Sequence, residues 1–206
     1  MYALVTDGTI TKYFNNPTGF TLGDLQYPKD IFMKWSVEEK EAIGIYEVVF
    51  DNSNKKDEQW YINTNQSFAF ADDVVTASYG TATAKAHADT TWSQDDEDDG
   101  DLPSDKSVGD IKTRGLKYNL IKTVKQQAAG ILANTDWYIT RNAEKSTAIP
   151  SAITTHRDLV RSRQATMETQ ITNASDTPAL ETLYTYTTDS DGVTSRTLAE
   201  LPTFEI

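Results

Sequence analysis

Apolar and polar positions alternate with a period of two through the first 85 or so residues, and recur with a period near 3.6 beyond residue 107. That change predicts a strand-rich front half and a helical back half. In "YALVTDGTITKYF", Asp7-Gly8 separates two runs rich in Tyr, Val, Ile and Thr, the pattern of a hairpin closed by a type I′ turn. "KWSVEEKEAIG" predicts a short helix with Ser36 as N-cap, Glu39 completing a capping box and Gly44 ending it. "IYEVVF", "QWYIN", "SFAFA" and "VVTASYGTATA" predict further strands. Residues 1–92 are therefore expected to form a small, mostly antiparallel β module with one short helix.

In the back half, Ser107 and Asp110 carry a capping-box spacing, and Leu116, Leu120, Val124, Ala128 and Ile131 follow three or four apart. The pattern predicts one apolar stripe on a helix of about 25 residues. Pro150 suits the first turn of a second helix, whose stripe is Ile153, Val160, Met167 and Ile171. The two are expected to pack as an antiparallel hairpin over residues 108–186, with a third short helical turn starting at Thr177-Pro178. Residues 187–206 are expected to close the chain with a hairpin at Asp191-Gly192. The fold class that results is α+β.

Charge separates the halves further. Of the 206 residues, 31 are acidic and 19 are Lys or Arg, and residues 95–101 alone hold six acids. A segment of that composition buries no apolar surface, so 93–107 reads as a solvated acidic linker between the modules. Asp95, Glu97, Asp99 and Gly100 also fall on positions of an EF-hand loop, but Lys106 stands where that loop needs a bidentate Glu, and Pro103 interrupts it. The linker is the preferred reading. The negative front half repels phosphate backbones, which argues against nucleic acid as a partner. Residues 108–186 are mildly basic, a charge suited to an acidic protein partner.

Cysteine is absent and His87 and His156 are the only imidazoles, so thiol chemistry is excluded and metal or acid–base sites have few donors. The sequence carries no G-x-S-x-G, no H-E-x-x-H and no phosphate-binding glycine loop, and no cofactor or metal is expected. With no long apolar run and no basic-then-apolar leader, membrane insertion and export are not expected either. His156 reads as a packing residue of the second helix rather than a base.

"LANTDWYITRNAEKSTAIPSAITTHRDLVRSR", residues 132–163, is the densest stretch of the chain. Thr135 or Asp136 suits a cap for the turn at Trp137, and Trp137 and Tyr138 suit a plug at the open end of the helical hairpin. Arg157 and Arg161, four apart on the second helix, are placed to pair with Asp136 or Glu144. Arg161 and Arg163 on its outer face are the expected partner contact.

The same stretch resembles a pattern near the C-terminus of tail-fibre assembly proteins and related tail assembly chaperones of tailed bacteriophages. The resemblance falls on Leu132, Thr135, Asp136, Trp137, Tyr138, Arg141, Glu144, Ile149, Pro150, Arg157 and Arg161. "MYALVTDGTITKYF", "GDLQYP" and "EEKEAIGIYEVV" are also similar, less specifically, to the N-terminal modules of small tail-associated proteins of marine phages and prophages. Ser146 departs from it where Gly is usual, and His156 where Tyr is common. The resemblance implies a non-enzymatic protein that binds phage tail, baseplate or tail-fibre components, as an assembly chaperone in the host cytoplasm or as an adaptor retained in the virion. A hydrolase of host surface glycans, using carboxylates from Asp72, Asp73 and the 95–101 run, is the weaker alternative, because paired carboxylates need rigid placement and these acids lie in turn and spacer sequence.

Overall fold

The computed structural model describes residues 1–203 and divides the chain into two compact units, 1–83 and 84–206. The fold is α+β, with a sheet in the first unit and helices followed by a terminal hairpin in the second.

The first unit opens with β1 (Tyr2–Thr6) and β2 (Thr9–Phe14), paired antiparallel around Asp7 and Gly8, which both take positive φ as a type I′ turn requires. A small hairpin, β3 (Phe20–Leu22) and β4 (Leu25–Tyr27), precedes two short helices, α1 (Ile31–Lys34) and α2 (Val37–Glu41). The Ser36–Glu39 capping box forms as the sequence predicts, while α1 is a second helix beyond the single one expected. β5 (Ile45–Asp51) follows, then the two-residue β6 (Tyr61–Ile62), β7 (Ser67–Ala71), β8 (Val74–Ser78) and the short β9 (Thr83–Ala84).

The main sheet runs β2-β1-β5-β8-β7. The expectation of a mostly antiparallel module needs one correction, since β5 and β8 are parallel. Residues 52–73 carry the chain back past β5, and the β7–β8 hairpin then delivers β8 beside it in the same direction. That hairpin turns on Asp72 and Asp73, both at positive φ. The sheet curls until its edge strands meet through Tyr13 and Phe68, whose ring centroids lie 4.7 Å apart. Ala3, Val5, Val48, Val75 and Ala77 fill the inside of the curl. Strand periodicity sends the intervening residues outward, where Leu4, Phe14 and Ile45 meet Phe20, Ile31 and Phe32 in a second core.

The second unit begins before the acidic run. β10 (Thr90–Thr91) pairs antiparallel with β11 (Ile111–Thr113), and between them lies α3 (Gln94–Asp98). The expected boundary at 92 and the linker at 93–107 are thereby replaced by a folded excursion of this unit. Ser93 caps α3 through a capping box with Asp96, a Ser-x-x-Asp signal present in the sequence. Lys112 donates to Asp96, and that bond, with those from Ser93, holds the Asp96 carboxyl down at about 2. Asp95 and Glu97 lie within a helix rather than a chelating loop.

Helix α4 (Leu116–Ala133) starts eight residues later than Ser107 suggests. Ser107 and Asp110 close a turn instead, and Gly115 is the N-cap. The first amides of α4 donate to the carbonyls of Ala86 and His87, and Asp89 accepts from the Gly115 amide. That bond and the Arg114 guanidinium keep the Asp89 carboxyl below its ordinary range. A Cβ on Gly115 would sit 2.3 Å from the Ala88 carbonyl, so the close approach needs glycine. α5 (Asp136–Lys145), α6 (Ser151–Asn173) and α7 (Thr177–Tyr184) follow, then β12 (Tyr186–Thr188) and β13 (Thr194–Arg196), paired as the expected hairpin. Ile153, Val160, Met167 and Ile171, the predicted stripe of α6, are all buried, whereas of the stripe predicted for α4 Val124 and Ala128 are buried and Leu116, Leu120 and Ile131 are half-buried.

Candidate functional site

The segment joining the two long helices is helical itself. α4 ends in a tight turn in which the Thr135 amide donates to Leu132 O, and Asp136 opens α5 directly afterwards. The Thr135 side chain does not cap α5. Its hydroxyl donates back to Leu132 O. Arg157 reaches this turn from the second turn of α6 and is only 8% exposed. Its Nη1 donates to Leu132 O at 2.9 Å, Thr135 Oγ1 at 2.7 Å and Asp136 Oδ1 at 2.8 Å. A buried guanidinium is tolerable only with such partners, and here they tie α6 to both ends of the α4–α5 corner. The expected Arg157–Asp136 pair is thus present. Arg161 pairs with neither Asp136 nor Glu144 but with Asp158, one turn away on α6, and both are exposed.

Trp137 and Tyr138 lie against each other with ring centroids 3.8 Å apart and planes tilted by 34°, and the Arg141 guanidinium lies over both, 4.6 Å and 5.3 Å from their centroids. Arg141 is one turn beyond Trp137 on the same helical face, which brings the guanidinium onto the rings. The expectation that Trp137 plugs the hairpin is corrected, because Trp137 is 51% exposed. The buried positions of that turn are taken by Thr135 and Arg157 instead. Ile139 is exposed on the same helix. An aromatic pair held in place by a cation and left half in water has the character of an interface anchor.

Ser146 ends α5 at φ 51°, ψ 25°, in the left-handed region that glycine adopts without cost. The departure from Gly noted in the sequence therefore falls on the position where Gly fits best. Ser146→Gly is expected to raise the stability of the second unit by about 0.5 to 1 kcal/mol, read as a higher urea midpoint, whereas Ser146→Ala is expected to bring no such gain.

Pro150 is the N-cap of α6 rather than a residue of its first turn. Glu144 and Arg163 are exposed on α5 and α6. His156 is buried against α4, where a hollow of about 470 Å3 is lined by Ile131, Asn134 and Leu201, so it packs as expected. Asp72 and Asp73 are accounted for by the turn they build. Among the described residues, no group of three or more His, Asp or Glu is placed to hold a metal ion, and no helix is long and apolar enough to cross a membrane.

Sequence reasoning did not foresee that 136–145 is a helix, nor the Arg157 contact to Leu132 O and Thr135. A ten-residue amphipathic run without a capping side chain gives little local signal. In comparisons with protein-family models, curated proteins and solved structures, nothing matches this chain.

Proposed function

We propose that this chain is a bacteriophage tail protein without enzymatic activity that binds another tail, baseplate or tail-fibre component, either as a small adaptor kept in the virion or as an assembly chaperone. The motif resemblance supplies the phage context. The observation that carries the binding role is the contrast within one corner: Arg157 is buried and locks the turn through Asp136, while Trp137, the residue after Asp136, stands half in solvent with Arg141 packed on its ring. Locking a large aromatic before binding removes much of the ordering cost that an interface side chain otherwise carries. Arg161 and Arg163, exposed on α6, add positive charge that steers an acidic partner to this unit in a chain of net charge -12.

Trp137→Ala is expected to lower stability by only about 1 kcal/mol, since half the indole already meets water, while association with the tail component falls at least tenfold. The test pairs urea unfolding with pull-down from assembling particles, alongside mass spectrometry of purified virions. An adaptor is found in particles at fixed stoichiometry; a chaperone is absent from them but co-purifies with a tail component before assembly. Absence from both would sink the proposal. A loss of 3 kcal/mol or more with Trp137→Ala would return the residue to a packing role.

A further inference from the structure

The corner that presents Trp137 also holds a cation without a counter-ion. In the second unit Arg114, Arg157, Arg161 and Arg196 each pair with a carboxylate. Arg163 has none and is simply exposed. Arg141 is different: it pairs with no acid among the described residues, its Nε is covered without an acceptor, and yet it is held in place over the rings of Trp137 and Tyr138. A covered donor left without a partner in a fixed side chain calls for a physical reason. Asp136 is taken by Arg157. Glu144, one turn on, does not reach the guanidinium, because helical side chains lean toward the N-terminus and Arg141 is carried back over Trp137. Lys145, a turn beyond Arg141 on the same side of α5, pairs with no acid among the described residues either, so two unpaired cations follow the indole at four-residue spacing.

The geometry points to a carboxylate of a partner protein as the group that Arg141 takes: an Asp or Glu side chain beside an aliphatic residue that packs on the exposed part of the Trp137 indole. The chemistry of the corner selects that group. A cationic ligand is repelled, since Arg141 already lies on both rings. A neutral surface strips water from Arg141 and Lys145 and returns no counter-charge. A planar carboxylate accepts two parallel bonds from a guanidinium, and the rings hold this guanidinium in place beforehand, with its Nη atoms as the donors left to a partner. The half-exposed indole beside it supplies the apolar contact. This inference rests on reading the corner as a binding site, and it names the chemical group that the site receives.

The test is an NMR titration of the full chain with the acetylated, amidated peptide Ala-Leu-Asp-Leu-Ala and two twins carrying Asn or Lys in place of Asp, at constant ionic strength. The probe signal is the Trp137 indole N–H, identified among those of the four tryptophans by Trp137→Phe. The Asp peptide is expected to shift it saturably, with the Asn twin at least about fivefold weaker and the Lys twin without effect. Arg141→Gln is expected to abolish the preference for Asp over Asn with the circular dichroism spectrum unchanged, and Arg141→Lys, which keeps the charge but not the planar fork, to retain part of it. Equal binding of the three peptides, no shift with any of them, or a preference that survives Arg141→Gln would overturn the inference, and the comparison of peptides on the unaltered chain stands whether or not that variant folds. Tighter binding of inorganic phosphate than of the Asp peptide would also overturn it, since the site would then take a phosphoryl group. So would a dimer in sedimentation equilibrium that Arg141→Gln dissociates, since the carboxylate would then come from a second copy. The two readings fail separately. Loss of tail association in Trp137→Ala without any Asp preference keeps the aromatic anchor and removes the carboxylate, and an Asp preference with tail association unchanged does the reverse.

Discussion

Gly44→Ala is expected to be the most destabilising single change in the first unit, at about 3 to 4 kcal/mol. Gly44 sits between α2 and β5 at φ +79°, and its carbonyl accepts from the Val5 amide at 2.8 Å. A Cβ there would lie 2.3 Å from Val5 O, a backbone atom of β1, the strand paired with β5. Two costs add. The left-handed conformation costs an L side chain about 1 kcal/mol or more, and relieving the contact means moving β5 from β1 or losing the bond that joins them, about 2 to 3 kcal/mol more. A unit of this size is stable by roughly 4 to 12 kcal/mol, so a loss near 4 removes much of the margin. Gly23→Ala is the control, because Gly23 also has positive φ but its Cβ would meet nothing within 4 Å. Urea unfolding of the two variants separates strain from contact. If both lose the same small amount, Gly44 is required for its φ alone.

Arg157→Met is expected to be the most damaging side-chain change in the second unit, at about 2 to 3 kcal/mol. The methionine keeps the stem's packing but removes a charge that ties Leu132, Thr135 and Asp136 together. The loss stays below that of a fully buried ion pair for two reasons. Leu132 O and the Thr135 hydroxyl retain each other, and the Asp136 side chain is 61% exposed and rehydrates when its partner goes. All three bonds leave from one nitrogen, so Arg157→Lys, whose ammonium has three donors, is expected to recover about half of the loss. Asp136→Asn is expected to cost about 1 kcal/mol or less. Chemical denaturation reads the order Met, then Lys, then Asn, from worst to mildest. An Asp136→Asn loss equal to that of Arg157→Met would show that the carboxylate alone carries the corner. Because the corner also presents Trp137, Arg157→Met is further expected to weaken association with the tail component in a folded sample.

The acidic segment shows how composition misleads where a local cap is overlooked. Six acids in seven positions read as a solvated spacer, and every residue of α3 does keep some exposure. The Ser93–Asp96 box and the Lys112–Asp96 bond nonetheless turn it into a short capped helix between two paired strands. Acids near a helix N-terminus are favourable, which composition alone does not weigh. The first long helix was misplaced for a related reason. Ser107 and Asp110 have the spacing of a cap, but Gly115 receives its cap from Asp89, 26 residues earlier, a contact no local pattern reveals.

By itself the sequence determined the elements whose signals are local. The Asp7-Gly8 turn, the Ser36–Glu39 box, the apolar stripes of α4 and α6 and the terminal hairpin are all legible, because each is specified by residues within a few positions of one another. The sequence also made Arg157 a candidate partner of Asp136, through helical spacing and charge. Tertiary structure alone decided the rest. The parallel β5–β8 pair depends on where a crossover of some twenty residues returns the chain. Whether Trp137 is a plug or an anchor depends on what else fills the corner: periodicity tells which residues share a face, but not whether that face is covered, and here the buried positions go to Thr135 and Arg157 while the indole stays half in water.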